Sequence, residues 1–351
     1  MSKFLYKIFL FFSILIPLLI LLVGYNIWLD PYGAIKGNMQ TQKTEPNQHY
    51  LKIKYCINNP KKYNAFLFGS SRVGKIDVSK IIDENNWYNF TYSECVPYET
   101  LQDIRLLLHH NINIKKIIIG LDEISYLVSY KLHKNQSLRK PYVNIINPYL
   151  YYLFLRPSLS MYKNISNADT SKFYSKGAYN VIYKNGCFPP NKKDAFIEKN
   201  PLAHNKDSVF NKPYWNPNNK ERINKVISEI KKIKKICDER DIKVIFFINP
   251  IYKKTYIKAV DNKFFNFLWQ LSTISEYYDF SGINNITSKT VNYYDNSHYR
   301  PIVGDWIIYN IFQTNTKWIV NKDNISAIIQ KKQMEIINVR THNNVYPYVS
   351  G

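Results

Sequence analysis

The chain has 351 residues, 45% of them hydrophobic, so it can build one large domain or two modest ones of ordinary globular composition. Its formal charge of +22 suits an acidic partner such as nucleic acid, anionic lipid or an acidic glycan, but the lysines are scattered and no nucleic-acid-binding motif appears, which argues against nucleic acid. Cys56, Cys95, Cys187 and Cys237 form no CxxC pair, so zinc and thioredoxin-like sites are not indicated, while disulfides and buried free thiols both remain open. None of the histidines has metal-ligand spacing, and no cofactor motif is seen.

Taken in chain order, the first element is an uncharged run from Ile8 to Leu29. At about 22 residues it can cross a bilayer as a helix. Pro17 is tolerated in such a helix, and Tyr25 and Trp28 suit the far interface. A cleaved signal peptide would have a shorter core ending in small residues. The run instead ends Gly24-Tyr25-Asn26-Ile27-Trp28-Leu29-Asp30, which favours an uncleaved anchor. Lys3 and Lys7 lie close on the N-terminal side, whereas the first basic residue beyond the run is Lys36. That asymmetry places the N-terminus in the cytoplasm and the large domain outside it, periplasmic or extracellular.

Residues 31–61 read as a polar juxtamembrane connector. Strands are expected at Ala65 to Phe68, Trp87 to Phe90, Lys116 to Gly120, Val244 to Ile248 and Tyr277 to Phe280. A short helix is expected from Asp77. Longer helices are expected over Glu99 to His109, Asn219 to Glu239, Phe264 to Ser275 and Trp306 to Phe312. The second of these carries an apolar stripe through Ile223, Val226, Ile227, Ile230 and Ile233. Alternating strands and helices argue for a parallel sheet with helices on both faces, a three-layer α/β/α sandwich. Residues of about 126–218 show little periodicity and read as an insertion, a lid or a glycan-facing subdomain. The main domain then covers residues 62–315, with the anchor at 1–30 and a tail at 316–351.

Two motifs carry chemistry. Phe66-Leu67-Phe68-Gly69-Ser70-Ser71-Arg72 breaks from an apolar run into a small-residue turn, and Tyr294-Asp295-Asn296-Ser297-His298-Tyr299 holds an aspartate and a histidine three residues apart. Each falls just beyond a proposed strand, and ligands in parallel sheets collect at that edge. A serine hydroxyl needs a base in hydrogen-bond reach, and the base needs a group to fix its tautomer. Gly69-Ser70-Ser71 alone is also a common helix cap, and Asp-x-x-His alone is commonplace. Their order and their shared edge favour a nucleophile, base and carboxylate. An arginine at position 72 could meet an acidic sugar or phosphate near the site, or simply pair with a carboxylate.

An early Gly-x-Ser turn with a late Asp-x-x-His resembles the SGNH (GDSL-like) hydrolase and acyltransferase superfamily. The resemblance implies a parallel flavodoxin-like sheet and a triad of Ser71, His298 and Asp295, with Ser70 dispensable. Its second block normally brings a glycine for the oxyanion hole. Here Asn89 to Pro97 has none, which leaves the backbone N–H of Ser93 or Glu94. Its third block normally reads Gly-x-Asn, whereas Gly120-Leu121-Asp122 places a carboxylate there. Asp122 is thus a protonated donor, a binder of a substrate hydroxyl, or a structural acceptor.

With a membrane anchor, the chain looks like the subgroup acting on cell-envelope glycans. That implies acyl, most simply acetyl, transfer to or from hydroxyls of an envelope polysaccharide, without a cofactor or metal. A multi-pass membrane-bound O-acyltransferase would be the acyl-delivering partner. The altered second and third blocks leave an alternative, an inactive glycan-binding or scaffold protein of the same fold.

Overall fold

The computed structural model describes residues 3–30, 32–35, 46–132, 146–157, 181–188, 193–213, 222–313 and 315–345. The chain divides into two compact units, one of residues 1–55 with 135–183 and one of residues 56–134 with 184–351.

In the first unit, α1 (Lys3–Leu29) has a mean hydropathy of 2.7 over its most apolar window and none of that window is buried. It is long and apolar enough to cross a membrane. The amide of Asn26, near its far end, donates to the carbonyls of Leu153 and Leu155 at 2.8 and 2.9 Å. The residues expected to be a connector contain α2 (Gln48–Asn58), which crosses the unit boundary. Leu51, Ile53 and Cys56 on it are buried. Its lysines and polar residues disguised this short apolar face, to which Tyr50 also belongs. A further helix, Ile146–Leu153, lies within the expected insertion. Much of residues 126–218 lies outside the described residues.

The second unit is α/β. Its sheet has six strands in the order β2-β1-β3-β4-β5-β6. These are β1 (Ala65–Gly69), β2 (Trp87–Asn89), β3 (Lys116–Leu121), β4 (Lys243–Ile248), β5 (Tyr277–Asp279) and β6 (Ile319–Val320). The first five pair parallel, and β6 runs antiparallel at the edge. Five strands fall where the apolar runs put them, because strands covered on both faces read as continuous apolar segments. At two residues, β6 is too short to leave such a signal.

Strand ends are brought close at Gly69 and Gly120, which pair across β1 and β3. A Cβ on Gly69 (φ 150°) would meet the Gly120 carbonyl at 2.9 Å, and one on Gly120 would meet Val73 at 2.5 Å. Only glycine lets the first turn tuck against the third strand.

Between the strands run α3 (Pro97–His109), α4 (Ile124–Leu127), α6 (Lys193–Lys199), α7 (Pro201–Asn205), α8 (Ile223–Asp238), α9 (Lys253–Asp261), α10 (Phe264–Ser272) and α11 (Pro301–Phe312), α5 being Ile146–Leu153 of the first unit. The helix α12 (Ile325–Val345) follows β6. The stripe of α8 is buried as its spacing predicts, each such side chain contributing about 1.5–3 kcal/mol. The helix α9 was also not anticipated, since its lysine-rich exposed face hid the buried Tyr256 and Ala259. All four cysteines are free and buried, and burial pushes the Cys237 thiol up to about 12.

No α-helix follows β1. Ser71–Lys75 and Val78–Lys80 form short 3-10 turns. The carbonyls that would propagate a helix are taken elsewhere: the Asn89 amide donates to Val73 and Ile76 at 2.9 and 3.0 Å, and the Phe188 N–H donates to Gly74 at 2.7 Å. A five-residue 3-10 turn has little axial dipole, so Ser71 gains little from its position at the start of one.

Candidate active site

Six polar residues sit one or two positions beyond the carboxyl ends of the five parallel strands. They are Ser71 after β1, Thr91 after β2, Asp122 and Glu123 after β3, Asn249 after β4 and Ser281 after β5. The pleat ends there, and residues freed from ladder pairing can turn toward one another.

Ser71 is half-buried, and its Oγ lies 2.9 Å from Nε2 of His298. Nδ1 of the same ring lies 3.2 and 3.1 Å from the two carboxylate oxygens of Asp295. With Nδ1–H donated to Asp295, Nε2 keeps its lone pair toward the serine hydroxyl. Ser70 points the other way and donates to Asp122 at 3.0 Å. Of the two adjacent serines, Ser71 is the one that reaches the His298 ring.

The loop holding His298 is braced from several sides. Tyr293 and Tyr299 bridge antiparallel, and the Tyr294 N–H donates to the His298 carbonyl at 2.8 Å. The Tyr293 and Tyr299 hydroxyls donate to the Pro250 carbonyl and the Asn249 amide oxygen. Thr255 donates to the Asn296 carbonyl at 2.6 Å. Asp295 accepts the N–H groups of Ser297 and His298 at 2.7 and 2.8 Å. Burial works against the charge of Asp295, but the His298 ring and these N–H donors outweigh it and hold the carboxyl well below the usual carboxylate range. Asp295 thus stays an anion suited to orienting an imidazole. The His298 side chain remains 40% exposed.

Arg72, expected as a possible substrate contact, is not one. It is 2% exposed, and its guanidinium forks onto Glu123 with two bonds of 2.6 Å. It also lies 3.2 Å from Asp122. Burial pushes the Glu123 carboxyl up, against the pull of Arg72. Of the two readings of Arg72, carboxylate pairing is the one realised, because the residue after Ser71 turns inward beneath the sheet edge.

Asp122 is at the expected edge but is enclosed, 1% exposed. It accepts from Ser70, the Ser125 N–H at 3.3 Å and, at 3.4 Å, the Asn249 amide, and it pairs with the Arg72 guanidinium at 3.2 Å. Its oxygens are committed to internal donors, so it is a structural acceptor and not an oxyanion donor.

Ser93 and Glu94 are half-buried in the turn after β2. Glu94 adopts φ 54°, the left-handed region that favours glycine. The backbone bend of a glycine turn is present without the glycine. Thr91 ties this turn to the nucleophile by donating to the carbonyls of Gly69 and Ser70 at 3.2 and 2.7 Å.

Sequence reading missed the supports. Buried His204 contacts the Tyr293 carbonyl through Nε2 at 2.8 Å. Asp194 accepts from the Tyr294 hydroxyl and from Arg300, which also pairs with Glu198.

At the opposite, amino edge of the sheet a cleft of about 490 Å³ is lined by Lys116, Lys243, Glu276 and Tyr277 among others. No triad residue lines it. Among the described residues no cluster of His, Cys, Asp and Glu is arranged to hold a metal ion. No protein-family model and no curated protein matches the chain.

Proposed function

We propose that the protein is a membrane-anchored, serine-dependent acyl-transfer enzyme acting on hydroxyls of a cell-envelope polysaccharide. The single observation that supports this most is the hydrogen-bonded sequence Ser71–His298–Asp295 at an exposed sheet edge. His298 takes the Ser71 proton as Oγ attacks the acyl carbonyl of the donor. Collapse of the tetrahedral adduct breaks the bond to the donor's leaving group, which receives that proton. An acceptor hydroxyl, deprotonated in turn by His298, then attacks the acyl-serine and restores Ser71. A sugar hydroxyl as acceptor makes a transferase, and water makes an esterase. The acyl group is most simply acetyl.

The strand order β2-β1-β3-β4-β5 supports a doubly wound, flavodoxin-like three-layer sandwich, the fold of the SGNH superfamily that the motifs resemble. The apolar α1 supports a single-pass anchor in the cytoplasmic membrane with the second unit outside the cytoplasm. A multi-pass membrane-bound O-acyltransferase would supply the acyl group from the inner side. The turn at Glu94, with the Ser93 and Glu94 N–H groups, is the remaining place for oxyanion donors.

The internal commitment of Asp122 favours a second reading, a glycan-binding scaffold that kept the fold without turnover. A serine-reactive fluorophosphonate probe separates the two. Labelling of the native chain that disappears in Ser71→Ala supports the enzyme; no labelling of folded native chain supports the scaffold.

A further inference from the structure

A guanidinium beneath the nucleophile grips the loop that carries the base. Arg72 follows Ser71 directly, and its side chain reaches two segments. Nη1 and Nη2 donate to the two Glu123 oxygens at 2.6 Å each. Nη1 also lies 3.2 Å from Asp122. Nε donates to the Ser297 carbonyl at 3.1 Å and approaches its hydroxyl at 3.3 Å, and Nη2 donates to the same hydroxyl at 3.2 Å. The fork therefore donates to the turn after β3 and to the His298 loop at once, with Asp122 as a further ionic partner. Ser297 is the residue immediately before His298, and its own N–H donates to Asp295.

We infer that Arg72 is a positioning residue that sets the separation of Ser71 and His298. The inference rests on the triad reading above and adds to it how the two halves of the triad are held together. Ser71 and His298 come from segments 227 residues apart in sequence. The backbone at position 72 fixes the nucleophile turn, and the guanidinium at the same position fixes the base loop. Glu123 holds the guanidinium plane, since a carboxylate fork accepts two parallel bonds only in one orientation. A lysine keeps the charge but is a single point donor and cannot hold Glu123 and Ser297 at once.

The test uses the full-length chain in detergent or nanodiscs, with two readouts. One is the rate of labelling by a fluorophosphonate across pH; the other is backbone hydrogen exchange at residues 294–299. Arg72→Lys is expected to label at least roughly 10-fold more slowly, because small displacements of reacting groups are costly, and to lose exchange protection in the loop. Ser297→Ala leaves the Arg72–Glu123 pair intact and removes only the contacts to the hydroxyl. It keeps the test alive if Arg72→Lys does not fold, and it is expected to show the same two changes to a smaller degree, about 3-fold in rate. A purely structural Arg72 would lower the melting temperature and leave the labelling rate per folded molecule unchanged. Unchanged labelling together with unchanged exchange in folded Arg72→Lys, or in Ser297→Ala if Arg72→Lys does not fold, overturns the inference. If the native chain is not labelled at all, the enzyme reading fails. Loss or retention of loop protection in the same variants then still decides whether Arg72 holds the loop.

Discussion

Two serine clusters sit at the carboxyl edge of the same sheet, and only one sets its serine against an exposed imidazole. After β1, Ser71 faces a half-exposed imidazole backed by Asp295. After β5, the Ser281 hydroxyl donates to Asp279 at 2.6 Å and lies 3.0 Å from Nζ of Lys332 on α12. Both contain a hydroxyl, a nitrogen and a carboxylate. In the second, Ser281, Asp279 and Lys332 are all buried, and the lysine pairs with Asp279 at 2.8 Å while also donating to the Ser281 carbonyl. An ammonium spending its protons on a carboxylate and a carbonyl offers no lone pair to a serine. The first cluster presents a base to solvent; the second locks a helix to the sheet. Parts do not make a site; an available lone pair and an approach path do.

The largest expected effect breaks this comparison outright if it fails. Ser71→Ala should abolish fluorophosphonate labelling, whereas Ser281→Ala should label at the native rate. Labelling that follows Ser281 would reverse the assignment of the two clusters. Next in size is Asp295→Asn, which removes the anion that fixes the His298 tautomer. By the scale of such replacements in serine hydrolases, the labelling rate should fall by about 10⁴, with little change in melting temperature. A fall of less than tenfold would mean that Asp295 does not orient the base.

Lys332→Ala tests the other cluster. It strands the buried Asp279 carboxylate, and breaking a buried pair costs about 3–5 kcal/mol. The melting temperature should drop by on the order of 10 °C, while the labelling rate of the folded fraction stays native. Differential scanning fluorimetry and labelling at low temperature check both halves. A stable variant with lost labelling would show that the lock reaches the triad.

The two clusters also differ in how far sequence exposed them. Ser71, Asp295 and His298 were legible because each lies at the end of an apolar run or in a compact three-residue spacing, both of which are local patterns. The Lys332–Asp279 pair was not, since 53 residues separate its members and neither sits in a recognisable motif. The same reason hid Arg72–Glu123, where the sequence shows a possible cation beside the nucleophile but not where it points. The parallel strands were legible from their unbroken apolar runs. The helix α2 was not, because its buried face is diluted by lysine and polar residues. In the turn after β2, the missing glycine suggested a missing block. The backbone bend survives because Glu94 accepts a left-handed conformation at a cost of order 1 kcal/mol.

The smallest expected effect lies between triad and support, at Lys75. Its ammonium sits 5.4 Å from the centre of the Tyr294 ring, next to Asp295 in the chain. Burial pushes the Lys75 amine down to about 8 from an ordinary 10.5, although Asp194 pulls it back up. The sign follows from proton counts. Between about pH 8 and 10.5 the unfolded chain holds a proton on this lysine that the folded chain has shed, so stability rises with pH across that window. Below about 8 both forms are protonated and a constant penalty remains. Replacing the cation by a neutral side chain of similar length should remove the penalty. Lys75→Met is therefore expected to be more stable than the native chain at pH 7, by on the order of 1 kcal/mol after allowance for partial exposure. The advantage should shrink toward zero as pH approaches 10.5, the ordinary value of the amine. Melting curves of the two chains at pH 7, 8, 9 and 10 measure the difference directly. A gap that stays constant with pH would show that Lys75 contributes through packing on Tyr294 and not through its charge.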